Sequence, residues 1–225
     1  MLCGKGVITT WNGITEEGRI DFYQWHLHEH MPERTGIPGF LRGRRYRAAD
    51  GDTKPEYFTL YEVEEFEVLK SAEYIERLNS PTDWTKRATA HFRSTSRGLG
   101  RVLDSQGPGM GGALATLRFL SSGGAEQEVV QELSALTAEV MRLPLVCGVH
   151  LCKADNEATQ VRTAESQGRT DYDAPPTWVI LIEGCMTYYL KGPVAKVLEH
   201  PRVQEPRVGQ YLLEYVRMKT EMAAG

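Results

Sequence analysis

The sequence predicts an α+β fold: two tandem ferredoxin-like (βαββαβ) halves forming an α/β-barrel pseudo-dimer within one chain. Three observations carry this. Apolar segments follow the order strand, helix, strand, strand, helix, strand, and the order recurs. Between the two runs lies Gln106-Gly-Pro-Gly-Met-Gly-Gly112, whose glycines and proline bar regular structure. The second strand of each run leads into an Ala-Asp pair, Ala49-Asp50 and Ala154-Asp155. The predicted halves are residues 1–105 and 113–225, with 106–112 as the linker. The order βαββαβ makes a four-stranded antiparallel sheet with both helices on one face. The bare faces of two such sheets are expected to pack on each other.

In the first half, Gly6–Trp11 is rich in strand formers. Thr15 then stands as an N-cap, with Glu16 and Glu17 in the first turn of a helix. That helix is expected to stop near Met31, because Pro32 disfavours helical backbone at the residue before it. Pro38-Gly39 marks a turn, Phe40–Arg47 a second strand, and Asp50-Gly51-Asp52 another turn. Tyr57–Val63 alternates as a third strand. Val68–Leu78 reads as the second helix and His91–Ser96 as the fourth strand.

The second half repeats the plan. Ala115–Leu120 is a strand, Gln127–Arg142 an amphipathic helix, and Cys147–Cys152 the second strand. Trp178–Glu183, Val194–His200 and Tyr211–Met218 complete it as strand, helix and strand. A longer polar loop, residues 156–176, distinguishes this half.

Composition is that of a globular protein, 41% hydrophobic and 25% charged, and halves of this length can each bury a core. Net charge is −4 with no basic stripe, so no nucleic-acid partner is expected. No apolar run reaches the roughly 20 residues a bilayer span requires. The N-terminus lacks the apolar core of a signal peptide. The expectation is therefore no membrane partner and a cytoplasmic location. Cys3, Cys147, Cys152 and Cys185 include no C-x-x-C pair and read as buried free thiols in a reducing compartment.

Chemistry concentrates in the first helix, Asp21-Phe-Tyr-Gln-Trp-His-Leu-His-Glu-His-Met31. At 3.6 residues per turn, His26 and His30 are neighbours able to reach one small target, while His28 points away to solvent. The matching helix of the second half, Leu133–Met141, has no histidine. The second strands differ likewise: Arg42-Gly-Arg-Arg-Tyr-Arg47 stands against Cys147-Gly-Val-His-Leu-Cys152. Were these polar residues needed by the shared fold, both halves would carry them. The asymmetry predicts one working site, in the first half, with Leu136 and Val140 filling the equivalent space in the second.

The candidate catalytic residues are His30, Glu29, His26 and Arg34. Imidazole titrates near neutrality and can move protons, and Glu29 can orient a histidine or act as a base. Arg34, Arg44 or Arg45 can hold a carboxylate, phenolate or enolate. Arg44 and Arg45 alternate on a strand, so only one of them faces inward. Trp25, Tyr57, Tyr61 and Trp84 are candidates to wall an aromatic or apolar ligand; the competing reading makes Tyr57 and Tyr61 core residues and His26 a solvated one. His91, His150 and His200 stand singly and read as structural. No metal site is expected: His26 and His30 are spaced H-x-x-x-H, with Glu29 directly before the second histidine, and H-E-x-x-H is absent. The P-loop pattern is absent too, and Gly107–Gly112, although glycine-rich, follows no buried parallel strand and reads as linker.

Four stretches in combination carry a family resemblance: Trp25-x-x-x-Glu-His-Met-Pro-Glu-Arg34, Ile-Pro-Gly-Phe-Leu-Arg-Gly-Arg-Arg-Tyr46, Tyr57-x-x-x-Tyr61 and Asn79-Ser-Pro-Thr-x-Trp-Thr85. Over roughly residues 4–97 the chain resembles a bacterial family similar to the EthD-like group of the dimeric α/β-barrel superfamily. The resemblance implies a small-molecule ligand between sheet and helices, bordered by Glu29, His30, Arg34, Arg45 and Tyr46. Activities in that superfamily include cofactor-free monooxygenases, lactone isomerases, polyketide cyclases, chlorite dismutases and dye-decolorising peroxidases. The first expectation is a cofactor-independent acid–base enzyme acting on a small organic acid, phenol or carbonyl compound. His30 is its proton carrier, Glu29 the partner of His30, and Arg34 or Arg45 the anion holder. The second adds haem, with a histidine as axial ligand. The third is a ligand-binding or stress-response module without chemistry. A homodimer of the whole chain is the expected macromolecular partner, if any.

Overall fold

A computed structural model describes residues 1–121, 123–167 and 171–219. Its strands are β1 (Gly6–Ile14), β2 (Phe40–Ala48), β3 (Tyr57–Val63), β4 (Phe92–Gln106), β5 (Ala113–Leu120), β6 (Val146–Ala154), β7 (Trp178–Gly184) and β8 (Gln204–Met218). They close into one antiparallel barrel, in the ring order β1-β3-β2-β8-β5-β7-β6-β4. Two four-strand orders, β4-β1-β3-β2 and β8-β5-β7-β6, therefore follow one rule. The expected face-to-face stacking of separate sheets is corrected here. The sheets join edge to edge, β2 with β8 and β4 with β6, and closure leaves no row of unpaired edge amides.

The closing strands are much longer than the sequence suggested, 15 residues each. β4 pairs with β1 as far as Arg101 and with β6 from Gly100 to Gln106. β8 pairs with β2 over Tyr211 to Met218 and with β5 over Gln204 to Leu212. Surroundings change midway along each strand, so no single alternation marks them. The predicted linker accordingly begins inside β4.

Period-two alternation sorts the side chains. Val7, Trp11, Tyr46, Phe58, Leu60, Leu181 and Tyr211 fill the barrel interior. From the same first-half strands Ile8, Tyr61 and Val63 point outward and pack with Met31, Ile37 and Leu69. Gly43 permits this contact: a Cβ there would lie 2.7 Å from Met31 Sδ and 2.9 Å from the Tyr61 ring. In the second half Leu117, Val149 and Ile180 pack with Leu133, Leu136 and Val140 of the long helix Glu126–Met141, and of that helix's buried residues only Thr137, which donates to Asp104, is polar.

The barrel interior also holds an ionic cluster that ties the halves together. Arg44, wholly buried, donates from Nη1 to Glu183 Oε1 and to the Tyr46 hydroxyl, 2.8 Å each, and its Nε lies 2.9 Å from Glu62. Arg42 grips Glu62 with two hydrogen bonds of 2.9 and 2.8 Å. His150 completes the cluster, 3.2 Å from Glu183 and 2.9 Å from Ser105 Oγ. Burial opposes ionisation of Glu183, but His150 and Arg44 outweigh it and hold its pKa at about 2.

The first helix runs further than expected. α1 (Arg19–Trp25) passes through a π-helical stretch, His26–His30, into α2 (Met31–Gly36). The Met31 amide donates to the His26 carbonyl five residues back. Pro32 then falls in the first turn of α2, where its missing N–H costs little, so it does not end the helix. Gly18, not Thr15, holds the N-cap position. The predicted helix Val68–Leu78 is a 3₁₀ turn, Phe66–Lys70, followed by α3 (Ala72–Asn79), which Ser71 caps by accepting from the Tyr74 amide. α4 (Asp83–Thr89) went unforeseen. The polar loop carries two short helices, α6 (Asn156–Thr159) and α7 (Ala164–Gln167), beyond α5 (Glu126–Met141); its residues 168–170 lie outside the described residues, as do 220–225 of the second half.

All four cysteines are free, but only Cys152 is buried; Cys3 and Cys185 are exposed, which corrects the expectation of buried thiols. Cys147 and Cys185 bring their sulfurs to 3.6 Å across the end of β6 and β7. No helix among the described residues is long and apolar enough to cross a membrane.

Candidate functional site

A cavity lies between the outer face of β1 and β3 and the π-helical stretch. Its floor is polar, with Thr10 and Asn12 from β1 and Thr59 and Tyr61 from β3. Its roof is Phe22, Trp25, His26, His30 and Arg34. A π turn is wider than an α turn, and it places His26 and His30 side by side on the cavity, their rings stacked at 5.4 Å. Trp25 covers the His30 ring at 4.2 Å, and Tyr61 meets it edge-on at 6.0 Å. Phe22 stacks on His26 at 5.2 Å. Five residues read from sequence thus meet here: Trp25, His26, His30, Arg34 and Tyr61. His28 is exposed.

The electrostatics assign states to these groups. Burial, then the charges of Arg45 and Arg34, pulls His26 well below the usual imidazole pKa, so it is neutral. Its Nδ1 lies 3.4 Å from Arg45 Nη1. Arginine only donates, so Nδ1 is the acceptor and the ring proton sits on Nε2. Burial pushes the Tyr61 hydroxyl above the ordinary tyrosine range, keeping it protonated. Burial would lower Arg34, but Glu165 outweighs it and holds the guanidinium charged. Among the described residues, the Tyr61 hydroxyl and Arg34 Nη1 find no hydrogen-bond partner, although both are buried.

Other predicted residues lie elsewhere. Glu29 does not meet His30; it accepts from Thr82 at 2.6 Å and Thr85 at 3.2 Å, because the wider π turn rotates it toward α4. Arg45 sits one residue behind the cavity, bonded to Glu214 at 3.2 Å and over the Tyr23 ring at 4.5 Å. Arg44 and Tyr46 face the barrel interior, since alternation sends them to the opposite side from Arg45. Tyr57 is a core residue whose hydroxyl accepts from Arg19 and donates to Tyr23. Trp84 is bonded to Asp21 at 2.9 Å, away from the cavity.

Sequence reasoning missed the outer wall. Glu165, on α7 of the second half's loop, crosses to the first half and pairs with Arg34. Arg97 of β4 donates to the Tyr74 hydroxyl beside it. The length of the loop was a signal; nothing in it singled out Glu165. The inner cavity holds about 30 Å³, room for a water or two. Leu78, Arg97 and Glu165 also line an outer groove of about 430 Å³, so these three side chains separate the two spaces.

The same floor and roof can be tested against haem, which the resemblance implied. A ligand site of drug or cofactor size needs about 300 Å³ or more. Here the His30 ring lies against Trp25, and His26 lies between Phe22 and His30. In this conformation the residues do not fit a macrocycle. Among the described residues no group of three or more metal-ligating side chains comes together.

No protein-family model matches the chain. No curated protein matches it significantly. Solved structures match over nearly its whole length. An anthrone oxidase-like protein superposes with TM-score 0.60 at 12% identity, covering 98% of this chain and 95% of its own. A Fusobacterium nucleatum protein, named as a monooxygenase candidate, gives 0.56 at 7% identity, covering 98% of both chains. A haem-binding protein from Thermus thermophilus gives 0.52 at 11% identity, covering 93% and 91%. At these identities the likeness establishes the fold, an eight-stranded ferredoxin-like barrel.

Proposed function

We propose that this chain is a small-molecule enzyme of the dimeric α/β-barrel superfamily, its two halves a tandem duplication of which one kept the site. It works by cofactor-independent acid–base chemistry, of isomerase, lyase or monooxygenase type, on a small, partly apolar organic acid, phenol or carbonyl compound. One observation carries the reading: a histidine pair and two buried donors without partners among the described residues, Tyr61 Oη and Arg34 Nη1, converge on one cavity. Buried donors left unpaired cost stability, and a ligand oxyanion satisfies both.

In this reading His30 carries the proton, and His26, neutral with its proton on Nε2, donates a hydrogen bond to the ligand. Arg34 and Tyr61 hold the oxyanion. Glu165 stands where a ligand carboxylate would sit, and its displacement joins the inner cavity to the groove. Trp25 and Phe22 supply the apolar wall.

The test is a titration of the purified protein with aromatic carboxylates, phenols and small keto acids, followed by tryptophan fluorescence. At least one class should bind saturably, and Tyr61→Phe should weaken it. Failure of every class, or binding indifferent to Tyr61→Phe, overturns the reading. The haem-binding neighbour supports a second reading. An absorbance spectrum decides it: a Soret band in freshly purified protein moves the assignment to haem.

A further inference from the structure

Outside that site, one end of the barrel carries a buried cation that no carboxylate among the described residues pairs directly. Arg118 of β5 is 7% exposed. Its guanidinium lies 4.5 Å above the Trp11 ring, and its buried Nε has no hydrogen-bond partner among the described residues. No carboxylate among the described residues lies within ion-pair distance of it. Every other buried arginine of the ionic clusters, Arg34, Arg42, Arg44 and Arg45, has a glutamate. Directly across the β5–β8 ladder from Arg118 stands Arg207, a like charge at the register position that ordinarily favours an opposite one.

Both arginines line an open cavity of about 520 Å³, within the size range of ligand sites. Lys54 and Arg93 add two more cations to its wall. The two carboxylates present are engaged elsewhere or shared: Glu56 binds Arg19 and Arg47, and Asp173 binds Arg207 at 3.3 Å. Four cations against two carboxylates leave the cavity positive. Burial, then the charge of Arg207, works against the Arg118 cation, and Tyr211 and the nearby Asp173 offset them only in part.

We propose that this end of the barrel is an oxyanion-binding site, in which Arg118 and Arg207 clamp the phosphate or carboxylate group of a small ligand. Arg118 supplies the buried, directional donors, and Arg207 the solvent-facing ones. Planar guanidinium groups suit both oxyanions, and an unpaired one at the rim of a cavity is poised to bind without prior rearrangement. The apolar surfaces of Ile14, Pro55 and Val208 give the rest of the ligand a place to lie.

The experiment is thermal unfolding of the full chain with inorganic phosphate in one arm and acetate in the other, each against sodium chloride at matched ionic strength. Phosphate, acetate or both should raise Tm saturably, by about 3–6 °C at ten times Kd. Which arm responds identifies the oxyanion. Arg118→Met should remove that response and hold or raise Tm in chloride, because an unbalanced buried charge is replaced by apolar contact with Trp11. Arg207→Gln, a substitution at an exposed side chain, should weaken the response without unfolding the protein. The proposal is overturned if neither ion acts beyond chloride, or if both variants respond as the parent does, which would place binding elsewhere, at Arg34 for example. Should Arg118→Met fail to fold, Arg207→Gln alone decides between these outcomes.

Discussion

The Arg34 guanidinium donates to the carboxylate of Glu165, a residue 131 positions further along the chain. Both side chains are nearly enclosed, 4% and 7% exposed. A loop of the second half thereby closes a cavity built by the first. The pair neutralises Arg34 and also occupies it, so stability and ligand binding draw on the same guanidinium.

Glu165→Gln should separate the two effects. Removing one partner of a buried pair costs on the order of 3–5 kcal/mol, less where water reaches the remaining charge. Denaturant unfolding should show the loss. Added benzoate should restore more stability in the variant than in the parent, because Arg34 then needs a counter-ion. A loss that benzoate never reduces would make Glu165 purely structural.

Tyr61→Phe should leave Tm unchanged or raise it, since the hydroxyl is buried without a partner. Affinity for the ligand class found by titration should fall by about 3–10-fold, the worth of one hydrogen bond. A marked fall in Tm would show that the hydroxyl is already satisfied in the free protein.

His30→Asn should preserve the fold and lower turnover by about 10²–10⁴-fold, the usual contribution of a proton-transfer group. His28→Asn, at an exposed position, should change turnover little. Activity plotted against pH should lose its histidine limb only in the His30 variant. If the variant instead melts early while each folded molecule keeps full activity, His30 serves only to pack against Trp25.

His26 should also leave a signature in stability. Its folded pKa lies well below 6.5, while in the unfolded chain it titrates near that value. Below about pH 6.5 the unfolded state therefore binds more protons, and stability falls as pH drops, by up to about 1.4 kcal/mol per unit. Urea unfolding between pH 7.5 and 5 should show this slope, and His26→Asn should flatten it. Glu183 acts in a lower window. Its pKa is about 2 against an ordinary 4.5, so its contribution is present above pH 4.5 and is lost as pH falls toward 2.

Much of the local structure was legible. β3 matched the alternation of Tyr57–Val63 to the residue, and α5 differs from its predicted span by one residue at each end. His26 and His30 are neighbours as their spacing implied, lining one cavity, and the apolar helix over the second sheet followed from Leu133, Leu136 and Val140. These features depend on near neighbours in sequence, where periodicity acts.

Tertiary structure alone decided the rest. Edge-to-edge closure required β4 and β8 to serve two sheets each, and a strand with two environments carries no single pattern. The π turn changed the helical period at His26–His30, which carried Glu29 toward Thr82 and let the chain run on through Pro32. Alternation said that Arg44 and Arg45 face opposite ways, but only the closed barrel decided that Arg44 and Tyr46 join an interior ionic cluster while Arg45 backs the site. Glu165 reaches Arg34 through the path of a long loop, and Arg118 meets Arg207 through strand register. Such contacts join residues far apart in sequence, and no local pattern encodes them, because only the free energy of the closed fold brings them together.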